Sequence, residues 1–295
     1  MSFLQKKYAS LPPNLVHTYR KPIVLAAGAA FVASPFLAYA HACYQEWLAL
    51  GRGGVPHNVL GWLVQSSMHV LARSDTREPV PLSYKSLADL AALYGSAGSR
   101  SFLAAWVRDR GRAGARPDVP SFVAPQRQTS DAAARGTVER QNAFLEALAE
   151  TNSALFEFRT SKLEGPLHMA LWLRMPSSSF DSGDVNAADR KAKAREVQTR
   201  LGRGPAGEFA HVHGEGSTHV TLSPADAASL IARGWAERHR MSGVGGAVGL
   251  EMVPWGYVLV YAPRDEAEFE VWREVVLAGA RYVAEGAGVD VVVPA

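Results

Sequence analysis

The chain has 295 residues, of which 47% are hydrophobic and 20% charged, with a formal net charge of +3 at pH 7. That balance suits one large folded domain or two small ones and excludes an intrinsically disordered chain. Its basic residues are dispersed, which gives no footing for nucleic-acid binding, and its single cysteine, Cys43, excludes a disulfide framework or a multi-cysteine metal centre.

Residues 1–21 form a cationic tail containing Lys6, Lys7, Arg20 and Lys21. From Pro22 to Cys43 no residue carries a fixed charge, a length that can cross a bilayer as a helix. Alanine, Ser34, Pro35 and His41 keep its hydrophobicity moderate. The expectation is an uncleaved transmembrane or signal-anchor helix, an endoplasmic-reticulum membrane location and a cytosolic N-terminus by the positive-inside rule. A cleaved signal peptide, suggested by Ala40-His41-Ala42, and a monotopic anchor are the rival readings.

Residues 44–107 read as a helical region. Asn58 to Ala72 is apolar on most sides but short for a membrane span, so it is expected at an interface or as a core helix. Within Ser83–Val107, Leu87, Leu90 and Leu93 recur at helical spacing, and Gly95 to Gly98 should interrupt the helix. Residues 108–135 are rich in Arg, Gly, Pro, Ser and Asp and read as a long surface connection.

Residues 136–295 alternate helical and strand patterns with short links. A helix over Thr137–Ser153 carries Phe144, Leu145 and Leu148 on one stripe. The runs "ALFEFRT" and "HMALWLRM" read as strands. A serine-rich loop (Pro176–Asp184) and a charged helix (Ala187–Leu201) precede a histidine-rich segment, a helix, a glycine-rich loop, the strand "WGYVLVYA" and a last helix from Asp265 to about Glu285. The predicted fold class is α+β, a mixed and mainly antiparallel sheet with packed helices behind the N-terminal helical region.

The histidine-rich segment is "EFAHVHGEGSTHVTLS", Glu208 to Ser223. Gly214-Glu215-Gly216 is a turn signal, and a three-residue hairpin loop there would pair 213 with 217 and 211 with 219. Cross-strand partners share a face, so His211, His213 and His219 would project together, with Ser217 beside them. Val212, Thr218 and Val220 would face a core. A loop one residue longer or shorter would send His219 to the opposite side. Ser223 and Pro224 then start a helix that stops at Gly234, Trp235 anchors the turn in the core, and His239 returns a fourth imidazole.

Three readings fit that face. It could be a hydrogen-bonded polar face. It could be a metal site, His211, His213 and His219 with a carboxylate from Glu208, Glu215 or Asp226. Or it could do metal-free acid–base work, since histidine titrates near neutrality. Other motifs carry less. Gly243 to Gly249 lacks the features of a phosphate loop and reads as a lid or tight loop. No G-x-S-x-G elbow is present, and Cys43 borders the apolar segment, which disfavours a catalytic thiol. Asp265 and Glu268 read as a capping box. Arg264 is either a strand-end charge or an anion clamp.

The run "EFAHVHGEGSTHVTLSPADAASLIARGWAERH", followed by "VLVYAPRDEAEFEVWREVVLAGARYV", resembles the C-terminal half of the fungal luciferase family. "SKLE" (Ser161–Glu164), "PQRQ" (Pro125–Gln128) and "CYQEWLALG" extend the resemblance upstream. Where the family has His-Pro-Leu-Ala-Gly, this chain has His239-Arg240-Met241-Ser242-Gly243, which adds charge and loses a rigid proline. The resemblance implies a membrane-associated oxygenase that adds O2 to a hydroxylated styryl-pyrone of the 3-hydroxyhispidin type. Carbon dioxide is lost and light can be emitted. It implies no flavin, nicotinamide or metal, with O2 as co-substrate. The catalytic candidates are His211, His213, His219 and His239, one of the first three acting as base. Arg127, Lys162, Glu164, Trp235, Tyr261 and Arg264 are the substrate-binding candidates.

Overall fold

A computed structural model of the chain describes residues 13–174, 195–202, 207–245, 252–285, 287 and 289–295. The polypeptide divides into two compact units, Met1–Ala49 and Leu50–Ala295. The first contains one helix, α1 (Pro13–Ala49), which runs through Pro22 and Pro35. Among the described residues no helix is long and apolar enough to cross a membrane. The expected anchor over residues 22–43 therefore finds no support. The alanines, Ser34, Pro35 and His41 that moderate its hydrophobicity all sit inside α1.

The second unit is built on one six-stranded sheet: β1 (Phe156–Thr160), β2 (Met169–Leu173), β3 (Glu208–Val212), β4 (Thr218–Thr221), β5 (Ala236–Arg238) and β6 (Tyr257–Val260). The order is β1-β2-β3-β4-β6-β5 and every neighbouring pair is antiparallel. The α+β expectation holds, with an antiparallel sheet in place of a mixed one. The helices are α2 (Val59–Met68), α3 (Leu87–Ala92), α4 (Gly95–Ser99), α5 (Ala105–Arg108), α6 (Arg135–Thr151), α7 (Pro224–Ala232) and α8 (Glu266–Val283). Residues 195–201 are also helical. The serine-rich loop, the charged helix before residue 195 and Gly246–Gly249 lie outside the described residues.

Local chemistry sets the helix ends nearest the sheet. Ser223 is extended and its Oγ accepts the Asp226 N–H at 3.1 Å, with Pro224 in the first turn. Such a cap contributes about 1 kcal/mol. Gly234, at φ 79°, ends the segment in the left-handed conformation. For α8, Asp265 Oδ1 accepts the Glu268 N–H at 2.8 Å, while the Glu268 carboxylate accepts the Arg264 N–H at 3.0 Å. The capping box is thus closed one residue before its usual position.

Helix α8 covers one face of β3 and β4. Val212 and Val220 are buried in a core with Phe269, Trp272 and Val276. Trp272 also donates its Nε1–H to Thr218 Oγ1 at 2.8 Å. Burying each large apolar side chain of this kind contributes about 1.5–3 kcal/mol.

One expectation upstream is narrowed and one needs correction. Helix α2, capped by Asn58, buries only Gly61 and Gln65 and leaves Leu60 70% exposed, so of the two readings, interface or core helix, the core one falls. Residues 108–135 are irregular and partly exposed, but they do not stay at the surface throughout. Phe122, Val123, Gln126, Arg127 and Gln128 are buried. The polar members of that stretch tolerate burial because they are hydrogen-bonded. Gln126 donates to Glu237 and to the Arg238 carbonyl, and Gln128 Oε1 accepts the Ala262 N–H at 2.8 Å.

Candidate functional site

The hairpin closes with the three-residue loop its sequence specifies. His211 pairs with His219 and Val212 with Thr218, and the His213 N–H donates to the Ser217 carbonyl at 2.8 Å. Gly216 takes φ 93°, which a side chain would resist. The three imidazoles therefore share one face. Their ring centroids lie 5.2 Å (His211–His213), 5.3 Å (His211–His219) and 4.8 Å (His213–His219) apart. All three are buried.

Each ring is held through Nδ1. His211 Nδ1 lies 3.0 Å from Glu208 Oε1. Three residues apart on a regular strand, these two would face opposite ways. The pairing with β2 jumps from Leu171–Ala210 to Trp172–Glu208, so Phe209 is the extra residue of a bulge and Glu208 joins the histidine face. His213 Nδ1 lies 2.8 Å from Ser217 Oγ, which donates in turn to Glu215. His219 Nδ1 faces the Val258 carbonyl of β6 at 3.3 Å. Because the acceptors at Glu208, Ser217 and Val258 claim an Nδ1 proton, the neutral rings present bare Nε2 atoms on the inner side.

Glu164 closes that inner side. Its Oε1 lies 3.5 Å from His213 Nε2 and 3.9 Å from His211 Nε2, while its Oε2 accepts from Arg127 at 2.7 Å. The segment Ser161–Glu164 is aimed by Glu208. That carboxylate accepts from Ser161 Oγ at 2.6 Å and from the Lys162 N–H at 2.8 Å, and the Glu164 N–H donates to Ser161 Oγ at 2.9 Å. Gly53 is packed against the pair, and a Cβ there would collide with Glu164 and with Arg127. Arg127 also donates to the Leu50 and Arg52 carbonyls.

Burial alone would push the Glu164 carboxyl up. His213, His211 and Arg127 outweigh it and hold the group well below the usual carboxylate range. For His213, burial works downward and the Glu164 and Glu215 carboxylates reverse it, so its pKa is raised. For His219 the Glu164 carboxylate compensates too little. Burial, then the neighbouring His213 and His239, holds it well below the usual histidine value.

His239 joins the cluster from the chain after β5, 5.1 Å from His219. Its Nδ1 accepts the Met241 N–H at 3.1 Å, and the Val123 backbone interacts favourably with the ring. Burial pushes it down to about 4. Tyr257 stacks on His219 at 4.8 Å, and burial raises its phenol well above the usual value, so it stays protonated. These residues line a cavity of about 190 Å³, with His219, His239, Tyr257 and Glu164 on its polar wall and Val123 and Met252 among its apolar ones. A second cavity, of about 510 Å³, shares Gly54, Val55 and Glu164 with the first.

Of the residues singled out in the sequence, His211, His213, His219, His239, Glu164 and Arg127 come together. The others do not. Lys162 is exposed, with its ammonium over the Trp172 ring, and only its backbone serves the site. Trp235 lies in the core and donates Nε1–H to the Arg110 carbonyl. Tyr261 donates to Glu237, and Arg264 is tied to Glu268 and to the Ala113 carbonyl, which makes it a strand-end charge. The carboxylate facing the Nε2 atoms is Glu164. Glu208 and Glu215 stand behind the rings, and Asp226 is engaged by Ser101 and Phe102. His168, 3.2 Å through Nδ1 from the Val212 carbonyl and beside Arg127, and Tyr257 were not singled out in the sequence. A pairing of "HMALWLRM" with the histidine strand would have pointed to His168.

Residues 206–279 match the family model for the Luciferase domain. The chain is 22% identical to a luciferase of Armillaria ostoyae across 99% of its own length and all of that protein's. It is 23% identical to a luciferase of Armillaria gallica over 96% of each chain, and 22% identical to one of Neonothopanus nambi over 81% of this chain and 79% of that one. No solved structure gives a significant match.

Proposed function

We propose that this chain, a relative of the fungal luciferases with a Luciferase domain over residues 206–279, is an oxygenase of an electron-rich hydroxylated aromatic. The substrate class is a hydroxylated styryl-pyrone of the 3-hydroxyhispidin type, which takes up O2 and loses carbon dioxide. One observation carries this reading. A neutral imidazole, His219, stands on the wall of a mainly apolar cavity with its Nδ1 committed to Val258 and its Nε2 available.

In the metal-free protein His219 Nε2 takes the enolic proton of the pyrone. The enolate is then electron-rich enough for its carbon to give an electron pair to O2, which is the oxidant. General-base assistance of this kind contributes about 10²–10⁴-fold. His239 is not assigned the role, because its Nδ1 is engaged by the Met241 N–H, and it acts as a wall beside the base. The protonated phenol of Tyr257 and the buried Arg127–Glu164 pair keep the surroundings polar without supplying a second base. The apolar walls limit access of water to the oxygenated intermediate.

The test is O2 uptake, carbon dioxide release and light on adding 3-hydroxyhispidin to the purified chain in air. Turnover should occur and should fall by about 10²-fold or more in His219→Ala. An inert wild-type protein would overturn the substrate class. A His219→Ala variant at the wild-type rate would overturn the base.

A further inference from the structure

The structure assigns a first-row transition-metal dication to the cluster of His211, His213, His219 and Glu164. One ligand atom from each lies within 4.8 Å of every other. Ligand atoms about 2.1 Å from a shared ion are about 3.4 Å apart in a tetrahedral site and at most about 4.2 Å apart in any geometry, so the widest pair must close by roughly 0.6–1.4 Å on binding.

Three further observations point to an ion at this cluster. The Nε2 atoms of His211 and His213 are buried and have no hydrogen-bond partner, although leaving such groups unpaired is costly. Nδ1 of every ring faces an acceptor, Glu208, Ser217 backed by Glu215, or the Val258 carbonyl, which directs the Nε2 lone pairs inward. Metal-ligating histidines are oriented by outer-shell acceptors in this way. The two oxygens of Glu164 are also differentiated. Oε2 is taken by Arg127, while Oε1 faces the imidazoles at 3.5 and 3.9 Å, long for hydrogen bonds and suited to an ion between them. Three imidazole nitrogens with one carboxylate oxygen select zinc, iron, cobalt, nickel or copper over magnesium or calcium.

This site deepens the oxygenase reading without depending on it for binding. With an ion bound, His219 Nε2 is a ligand and no longer a base, so the metal-free route above and the metal-loaded state are alternatives of one centre.

The test uses Co(II) as probe on the full chain stripped with a chelator, with no activity readout. One Co(II) per chain is expected, with visible absorption bands that Zn(II) abolishes by displacement. His211→Ala, His213→Ala and Glu164→Gln should each weaken binding at least about tenfold. His69→Gln, outside the cluster, should leave it unchanged. Histidine-ring NMR of the unmutated chain removes any dependence on how the variants fold. Zn(II) should shift the Nε2 resonances of three histidines and leave that of His69 in place. Substoichiometric Co(II), or Nε2 resonances that do not move with Zn(II), would overturn the site. Oxygen uptake by the stripped enzyme would leave the oxygenase reading standing in that case, so the two can fail separately.

Discussion

The hairpin β3–β4 has two buried faces that solve burial in opposite ways. On one, Val212 and Val220 pack with Trp272 and Phe269, and a single hydrogen bond, Trp272 to Thr218, serves the polar groups. On the other, three imidazoles and Glu164 are buried as well, and half of their polar atoms, each Nδ1 and Glu164 Oε2, are bonded to something specific. The apolar face depends on volume and shape, where a neighbour can be exchanged at moderate cost. The polar face depends on atom-by-atom pairing, where one missing partner exposes a full desolvation penalty. Chemistry is possible on the second face because its inner nitrogens are the atoms left over.

The most severe way to break this contrast is to exchange the faces. Inserting one residue between Glu215 and Gly216 would slip β4 by one, turning His219 toward α8 and Val220 toward the cavity. Cooperative unfolding in urea should disappear. Trp272→Ala attacks only the apolar face and should cost about 3–5 kcal/mol, read as a lower urea midpoint. Its effect on turnover at a temperature where it remains folded should be small. Ser217→Ala attacks only the polar face. It leaves His213 Nδ1 and Glu215 without their shared hydroxyl and should cost about 1–3 kcal/mol. Here turnover should fall more than stability does. The smallest effect concerns pH. Since His219 is held well below the usual histidine value of 6.5, it remains an unprotonated base as the pH falls through that value. The acid limb of kcat/KM should therefore lie below pH 6.5. A limb at or above 6.5 would assign the base elsewhere.

How much of this was legible in the sequence follows the range of the interactions involved. Gly214-Glu215-Gly216 signals its turn, so the shared face of His211, His213 and His219 could be counted out residue by residue once a three-residue loop was assumed, and the strand pairing bears that loop out. Ser223-Pro224 likewise announces its helix. The bulge at Phe209 could not be read, because it exists only against β2, and it alone brings Glu208 behind His211. Glu164 was marked through a family resemblance, but its place among the imidazoles depends on the same pairing. Gln126, Arg127 and Gln128 looked like surface residues because burial of polar side chains depends on distant partners, the Glu237 carboxylate and the Ala262 N–H among them. Trp235 sits in the core, as its place at the turn suggested, and Tyr261 is tied to Glu237, so neither takes the ligand-flanking role that the family resemblance offered.

The three-residue loop also bears on the order in which the centre is assembled. Contacts between residues a few positions apart close with little loss of chain entropy, whereas Glu164 must wait for strands more than forty residues apart in the chain to meet. The imidazole triad is thus an early, local product of folding and the carboxylate a late arrival. Kinetic analysis of conservative variants should find high φ-values at Val212 and Val220 and low ones around Ser161. A nascent chain folded only as far as its hairpin would already present three converging imidazoles, before the anionic partner that tempers them has docked.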